Sequence, residues 1–248
     1  MLRYLRYTLL AIHFIFSSTL GLLIGLVRPF NPTNSRWCSH IYAFFGLPII
    51  GIKTRVEGLE HFKQDSPYII VCNHQSNWDL FVAGSVVPVR TVSLGKKSLK
   101  FIPFFGQLYW LAGNVLIDRG NRKKALEAMT ITKKALLEKN TNIWIFAEGT
   151  RNRGKNMLPF KKGAFVTAIN AGVPIVPVVC SSYLTNFDLN KWDNGTARIR
   201  VLPAISTAGM GQADVETLLA KCHKLMLENI HELDGNAQEQ VPSKQANA

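Results

Sequence analysis

From Tyr7 to Val27 the chain carries no Lys, Arg, Asp or Glu, with Arg3 and Arg6 before the run and Arg28 after it. Those 21 residues, if helical, would extend about 31 Å, the thickness of the hydrocarbon of a bilayer. The run is too long and too uniformly apolar for an ordinary core helix. It also exceeds the apolar core of a secretory signal, and no small-residue cleavage site follows it. A second apolar stretch, HIYAFFGLPIIGI (His40–Ile52), is shorter and interrupted by Gly46 and Pro48. It suits an interfacial or re-entrant helix better than a second span. Residues 1–52 are therefore expected to form a membrane anchor, which either crosses the bilayer or dips in and returns.

The charge balance points the same way. A net charge of +13 on 248 residues favours anionic partners, whether nucleic acid, an acidic membrane surface or phosphorylated substrates. The basic residues are scattered over several loops (Lys96, Lys97, Lys100; Arg119, Arg122, Lys123, Lys124; Arg151, Arg153, Lys155; Lys161, Lys162). Without a basic tail, zinc-finger spacing or an aromatic RNA-binding signature, that pattern argues against nucleic acid. Four cysteines lie far apart with no C-x-x-C, which argues against a disulfide framework or metal knuckle and suits a reducing compartment. Cys72, preceded by apolar residues, reads as the end of a strand rather than as a nucleophile.

Beyond the anchor, short apolar runs alternate with amphipathic ones. Tyr68–Asn73, Thr91–Gly95, Val115–Asp118, Ile143–Ala147, Ile175–Cys180 and Ala197–Leu202 have the length and bounding residues of strands. Helices are expected at Arg122–Glu138 and Lys162–Asn170, and again where Val215, Leu218, Leu219, Cys222, Leu225 and Met226 recur at helical spacing. The alternation implies an α/β domain over residues 53–233: a mostly parallel sheet flanked by helices, with its sites in loops at strand ends. Residues 234–248, a largely polar stretch, are expected to be a disordered tail.

Three strand ends carry chemistry. In VCNHQSNWDL (Val71–Leu80), His74 and Asp79 are five residues apart. On one continuous helix they would point about 140° apart, so they meet only if His74 sits in the turn and Asp79 begins the next helix. Ser76 and Asp79 have capping-box spacing, which favours a helix start near Ser76. Two readings stand: Asp79 only caps a helix beside a loop histidine, or it orients His74 as a base. No G-x-S-x-G and no cysteine in a polar setting accompanies the pair, so under the second reading the substrate supplies the hydroxyl. The second motif, IFAEGTRNRG (Ile145–Gly154), offers Gly149 for a tight turn, Glu148 to brace it, and Thr150, Arg151 and Arg153 as donors. It suits a phosphate, or is simply a solvated charged loop. The third, GNVLIDRG (Gly113–Gly120), ends a strand with Asp118 and Arg119.

Together these blocks resemble the glycerolipid acyltransferases, and among them the bacterial 1-acyl-sn-glycerol-3-phosphate acyltransferases. NHQSNWD matches the N-H-x4-D motif, with Asn73 as its first residue; GNVLIDR, FAEGTR and VPIVPVV (Val173–Val179) match three further blocks in order. GKKSLKFIPFFG (Gly95–Gly106) is similar to another, and Ala147 stands where the family usually has Pro. The resemblance implies transfer of an acyl group from acyl-CoA or acyl carrier protein to lysophosphatidate, giving phosphatidate, with no metal and no cofactor beyond the acyl donor. His74 would be the base and Asp79 its holder. Arg151, with Glu148, Gly149 and Thr150 shaping the loop of this phosphate site, would bind the acceptor phosphate, assisted by Arg119. Lys97 would face a donor phosphate or the developing oxyanion, or is a surface lysine. FIPFFGQLYWLAG (Phe101–Gly113) would line an acyl chain, or is apolar core. Anionic membrane lipids are then expected partners of the basic surface, and nucleic acid is not. The implied location is the bacterial inner membrane, with the site facing the cytoplasm.

Overall fold

The computed structural model describes residues 1–63, 66–118 and 122–238, apart from the side chains of 122–129 and 236–238. Two helices come first, α1 (Leu2–Val27) and α2 (Thr33–Ile50), followed by strands β1 (Lys53–Glu57) and β2 (Ile69–Cys72). Then come α3 (Asp79–Val82), β3 (Thr91–Lys96), α4 (Phe105–Leu111), β4 (Val115–Ile117) and α5 (Arg122–Lys139). The chain continues through β5 (Asn142–Phe146), α6 (Gly163–Ala171), β6 (Ile175–Cys180), β7 (Thr196–Val201) and α7 (Val215–Gln238). Among the described residues the strands form one seven-stranded sheet, ordered β1-β7-β6-β2-β5-β3-β4. Every pairing is parallel except β6 with β7.

The period of two along a strand sorts side chains to opposite faces of the sheet. In β2 all four residues are buried: Ile70 and Cys72 join Tyr42, Phe81 and Leu108 on the face covered by α2, α3 and α4. Ile69 and Val71 join Leu136, Phe165, Leu218 and Met226 on the face covered by α5, α6 and α7. A strand buried on both sides reads as an unbroken apolar run, which is why β2, β5 and β6 were legible in the sequence. β1, with the pattern Lys-Thr-Arg-Val-Glu, is an edge strand whose alternate side chains are exposed, and it has no such signal.

Two boundaries differ from expectation. α2 begins seven residues before His40, and neither Gly46 nor Pro48 breaks it. Pro48 lies in the last turn, where only one i−4 carbonyl loses its donor and little helix remains to be kinked. At the other end, α7 runs on to Gln238, so residues 234–238 are helix rather than tail; 239–248 lie outside the described residues.

α1 is long and apolar enough to cross a membrane by length and composition. It is also docked against the protein along its length. The Arg6 guanidinium donates to the carbonyls of Ile50, Leu189 and Trp192, at 3.0–3.4 Å. His13 Nε2 pairs with the Tyr42 carbonyl at 3.1 Å, and Ser18 with the Tyr42 hydroxyl. At Gly21 an added Cβ would lie 2.9 Å from the Leu108 methyl groups and 3.0 Å from Cys38 Sγ, so a larger residue would make those side chains shift. The most deeply buried positions on the side facing the domain (Arg6, His13, Ser17, Ser18, Gly21, Gly25) are thus polar or small, and Leu10, Phe14 and Leu22 pack on the core beside them. The opposite face exposes Leu5, Ile12, Ile15, Phe16, Leu23 and Leu26. Exposed Phe44 and Phe45 on α2, and Phe101, Phe104 and Trp110 around α4, extend the set of large apolar side chains left uncovered. The candidate acyl-chain segment therefore divides: Phe105 and Leu108 belong to the core, whereas Phe101, Phe104 and Trp110 face outward.

Candidate active site

β2 is central, and its C-terminal end opens between β5 and β6, the strand-end position where ligands bind in open α/β sheets. His74 sits in the turn beyond that end, and Asp79 is the first residue of α3. The two meet as the geometry requires: His74 Nδ1 lies 2.6 Å from Asp79 Oδ2. Because a carboxylate accepts, Nδ1 carries the proton and Nε2 presents its lone pair. Asp79 Oδ2 also accepts the backbone N–H groups of Gln75 (2.6 Å) and Ser76 (2.9 Å). The carboxylate therefore does both things considered for it, tying the turn into α3 and holding the imidazole. Asp79 is 3% exposed, whereas the His74 side chain keeps 21% of its surface open. Phe146, at the end of β5, stacks on the imidazole with centroids 4.1 Å apart, fixing its plane.

Asn73 fastens the turn from below. Its amide donates to the Cys180 carbonyl (2.9 Å) and accepts from the Cys180 N–H (2.8 Å), adding a side-chain rung between the ends of β2 and β6. Glu148, 1% exposed, fastens it from the side. Its Oε1 accepts the His74 N–H at 2.6 Å and its Oε2 accepts the Leu158 N–H at 2.8 Å. Burial pushes the Glu148 carboxyl above its ordinary value, and the two N–H donors oppose that shift. Both of its oxygens are engaged inside the protein. Glu148 braces the loop from within.

Of the rest of the second motif, Thr150, Arg151 and Arg153 face solvent, whereas Asn152 is buried. Gly149 adopts φ +73°, the left-handed conformation that favours glycine, and so turns the chain after β5. The loop is pinned to the histidine turn by Asn152 N–H to the His74 carbonyl (2.8 Å) and Arg153 N–H to the Gln75 carbonyl (3.0 Å). Thr150 and Arg151 are exposed, and the Arg151 guanidinium donates to the side chain of Asn77 within N-H-x4-D. The first two motifs are thus one structure, with an arginine held on the histidine turn through Asn77. Ala147 donates its N–H to the Cys72 carbonyl at 3.3 Å, a bond that proline could not make.

The third motif ends the edge strand β4, on the same sheet edge as His74 because β2, β5, β3 and β4 run parallel. Lys97, just past β3, lies 3.7 Å from Asp118, just past β4. β3 is two strands from β2, roughly 10 Å at the usual spacing. Arg119 lies outside the described residues. Cys72 is fully buried, and burial, then neighbouring Cys180, holds its thiol well above the ordinary range, which suits an inert strand residue.

Three contributors had no signal in the sequence. Tyr183, in the loop after β6, donates its hydroxyl to Asp79 Oδ1 at 2.6 Å across a separation of 104 residues. Gln75 donates its amide to the Ser181 carbonyl at 2.7 Å. The stacking role of Phe146 was hidden because a phenylalanine ending a strand reads as core.

Comparison with known proteins bears on the same residues. The family model Acyltransferase matches residues 53–181, which include all of the site described above except Tyr183. The chain is 45% identical to 1-acyl-sn-glycerol-3-phosphate acyltransferase from Haemophilus influenzae, over 94% of this chain and 97% of that protein. It is 39% identical to the protein of that name from Escherichia coli K12, over 94% and 95% of the two chains. In structure it is similar to the crystal structure of a 1-acyl-sn-glycerophosphate acyltransferase from Thermotoga maritima, with a TM-score of 0.71, 23% identity and coverage of 93% and 97%.

Proposed function

The chain belongs to the 1-acyl-sn-glycerol-3-phosphate acyltransferase family, and we propose that it moves a fatty acyl group from acyl-CoA or acyl carrier protein to 1-acyl-sn-glycerol 3-phosphate, giving phosphatidate. The observation that carries this reading is His74 held by Asp79 at 2.6 Å, with the opposite ring nitrogen left for substrate. The free hydroxyl of the acceptor gives its proton to His74 Nε2 as its oxygen attacks the thioester carbonyl. A new C–O bond forms and the C–S bond breaks. The imidazolium, stabilised by Asp79, then returns the proton to the departing thiolate. No acyl-enzyme intermediate is needed, in keeping with the inert Cys72.

Arg151 binds the acceptor's phosphate, for which its planar fork is suited, and Asn77 aims it. Arg119 assists, and Lys97 meets the donor's phosphate or the oxyanion, its contact with Asp118 yielding to substrate. The exposed apolar faces of α1 and α2, with Phe101, Phe104 and Trp110, rest in the bilayer, and the basic surface meets anionic headgroups. Because α1 is packed on the domain from Arg6 to Gly25, the anchor immerses one side of the protein rather than crossing as an isolated span. In a bacterium the site faces the cytoplasm, where acyl-CoA and acyl carrier protein are found.

The test is an assay of purified protein in detergent micelles with labelled acyl-CoA and acyl carrier protein. The acceptors are lysophosphatidate, lysophosphatidylcholine and glycerol 3-phosphate. Transfer to lysophosphatidate alone is expected, and a preference for either other acceptor overturns the substrate assignment.

A further inference from the structure

The Asp79 carboxylate has two oxygens with different duties. Oδ2 serves His74 and two backbone N–H groups. Oδ1 accepts the Tyr183 hydroxyl at 2.6 Å, and that hydroxyl also pairs with Ser76 Oγ at 3.0 Å. Tyr183 is itself buried. Burial, then the charge of Asp79, pushes its phenol far above the ordinary range, so it remains a donor. Its own loop is firmly seated: the Tyr183 N–H bonds the Ser181 carbonyl (2.7 Å), and Phe187 packs on Trp78 (centroids 5.7 Å apart). The same loop provides the Leu189 and Trp192 carbonyls that accept from Arg6 of α1.

We propose that Tyr183 is a positioning residue for the catalytic pair: its hydroxyl fixes the Asp79 carboxylate and sets how strongly Asp79 attracts a proton to His74. The proposal rests on His74 acting as the base. A buried carboxylate with one oxygen unpaired would be both freer to turn and a stronger attractor of positive charge. The charged and titratable groups around the pair are Asp79 on α3, Glu148 and Arg151 in the loop after β5, and Tyr183 in the loop after β6. The buried thiols of Cys72 and Cys180, at the ends of β2 and β6, complete the set and are unchanged by substitution of Tyr183. Removing the phenol donor leaves more of Asp79's charge directed at the imidazole. The imidazolium is then favoured, and less neutral His74 is present at a given pH.

Tyr183→Phe removes one oxygen and keeps the ring in its core site. The expected result is a fall in kcat of roughly tenfold near neutral pH, the lower end for a hydrogen bond to a charged group, with little change in either KM. The acid limb of the pH–rate profile should move up by about half a unit or more, so that activity is partly recovered at higher pH. In an Asp79→Asn background the same substitution should add little, because its target is already altered. A purely structural role would lower the melting temperature and scale activity equally at every pH, leaving the limb in place. That result, or a kcat within twofold of the parent, overturns the proposal. His74→Ala is assayed alongside: if it retains turnover, the reading of His74 as base fails, whatever Tyr183→Phe does.

Discussion

Replacing Glu148 with glutamine changes one atom and removes one charge at a place where both carboxylate oxygens are already engaged. They receive two backbone donors, one on each oxygen, from His74 at 2.6 Å and Leu158 at 2.8 Å. An amide has one acceptor oxygen, so one of those N–H groups must face an NH2 group instead. The variant loses a hydrogen bond to a charged group, worth about 1.5–3 kcal/mol, and leaves a buried donor unpaired at a further cost of about 1–3 kcal/mol. At 1% exposure no solvent replaces the lost partner. Some relief comes from no longer burying a charge, which the raised carboxyl pKa records. A net destabilisation of about 2–4 kcal/mol is expected, a large share of a typical domain's stability. Because one of the two donors is the backbone of His74 itself, kcat should fall with stability, while KM for lysophosphatidate should change little. Thermal unfolding in detergent and steady-state kinetics below the melting range measure the two effects separately. A Glu148→Gln protein of parental stability with a raised acceptor KM would refute the bracing role and return Glu148 to the phosphate site.

His74→Ala should abolish nearly all transfer in a folded, membrane-bound protein, and Asp79→Asn should lose roughly 10²–10⁴-fold through a misheld imidazole, as read from initial rates. Arg151→Ala and Arg151→Lys should raise the KM for lysophosphatidate and lower kcat/KM by roughly 10- to 150-fold for alanine and less for lysine. A defect confined to the acyl donor's KM would mean that the loop holds the other substrate. Ile12→Lys combined with Leu23→Lys puts two charges on the exposed face of α1 and should weaken binding to anionic vesicles without lowering the melting temperature. Deleting residues 1–28 should instead destabilise the whole protein, because it uncovers Tyr42 and Leu108. A stable, monodisperse truncated domain would contradict the docked-helix architecture.

The amino-acid sequence by itself determined the parts of this protein that rest on local pattern. Strands buried on both faces must be continuous apolar runs, so β2, β5 and β6 were legible, and their alternation with helices implied the parallel sheet. The spacing of His74 and Asp79 showed that the pair could meet only at a strand-end turn, and left open whether Asp79 merely capped a helix; the 2.6 Å contact of the folded chain supplied the rest. The tertiary structure decided whatever depends on which distant segments meet. In the sequence the loop carrying Glu148 reads either as a braced turn or as a solvated charged run; Glu148 is enclosed because the loops after β2 and β5 leave neighbouring strands. α1 has the length and apolarity of a membrane span, and composition cannot tell lipid from protein as its surroundings; the stripe from Arg6 to Gly25 has meaning only once Tyr42 and Leu108 lie against it. Tyr183 carries no local signal at all. It reaches Asp79 because β6 pairs with β2, a contact between strands more than a hundred residues apart whose pairing is set by the packing of the whole sheet and not by any stretch of the chain alone.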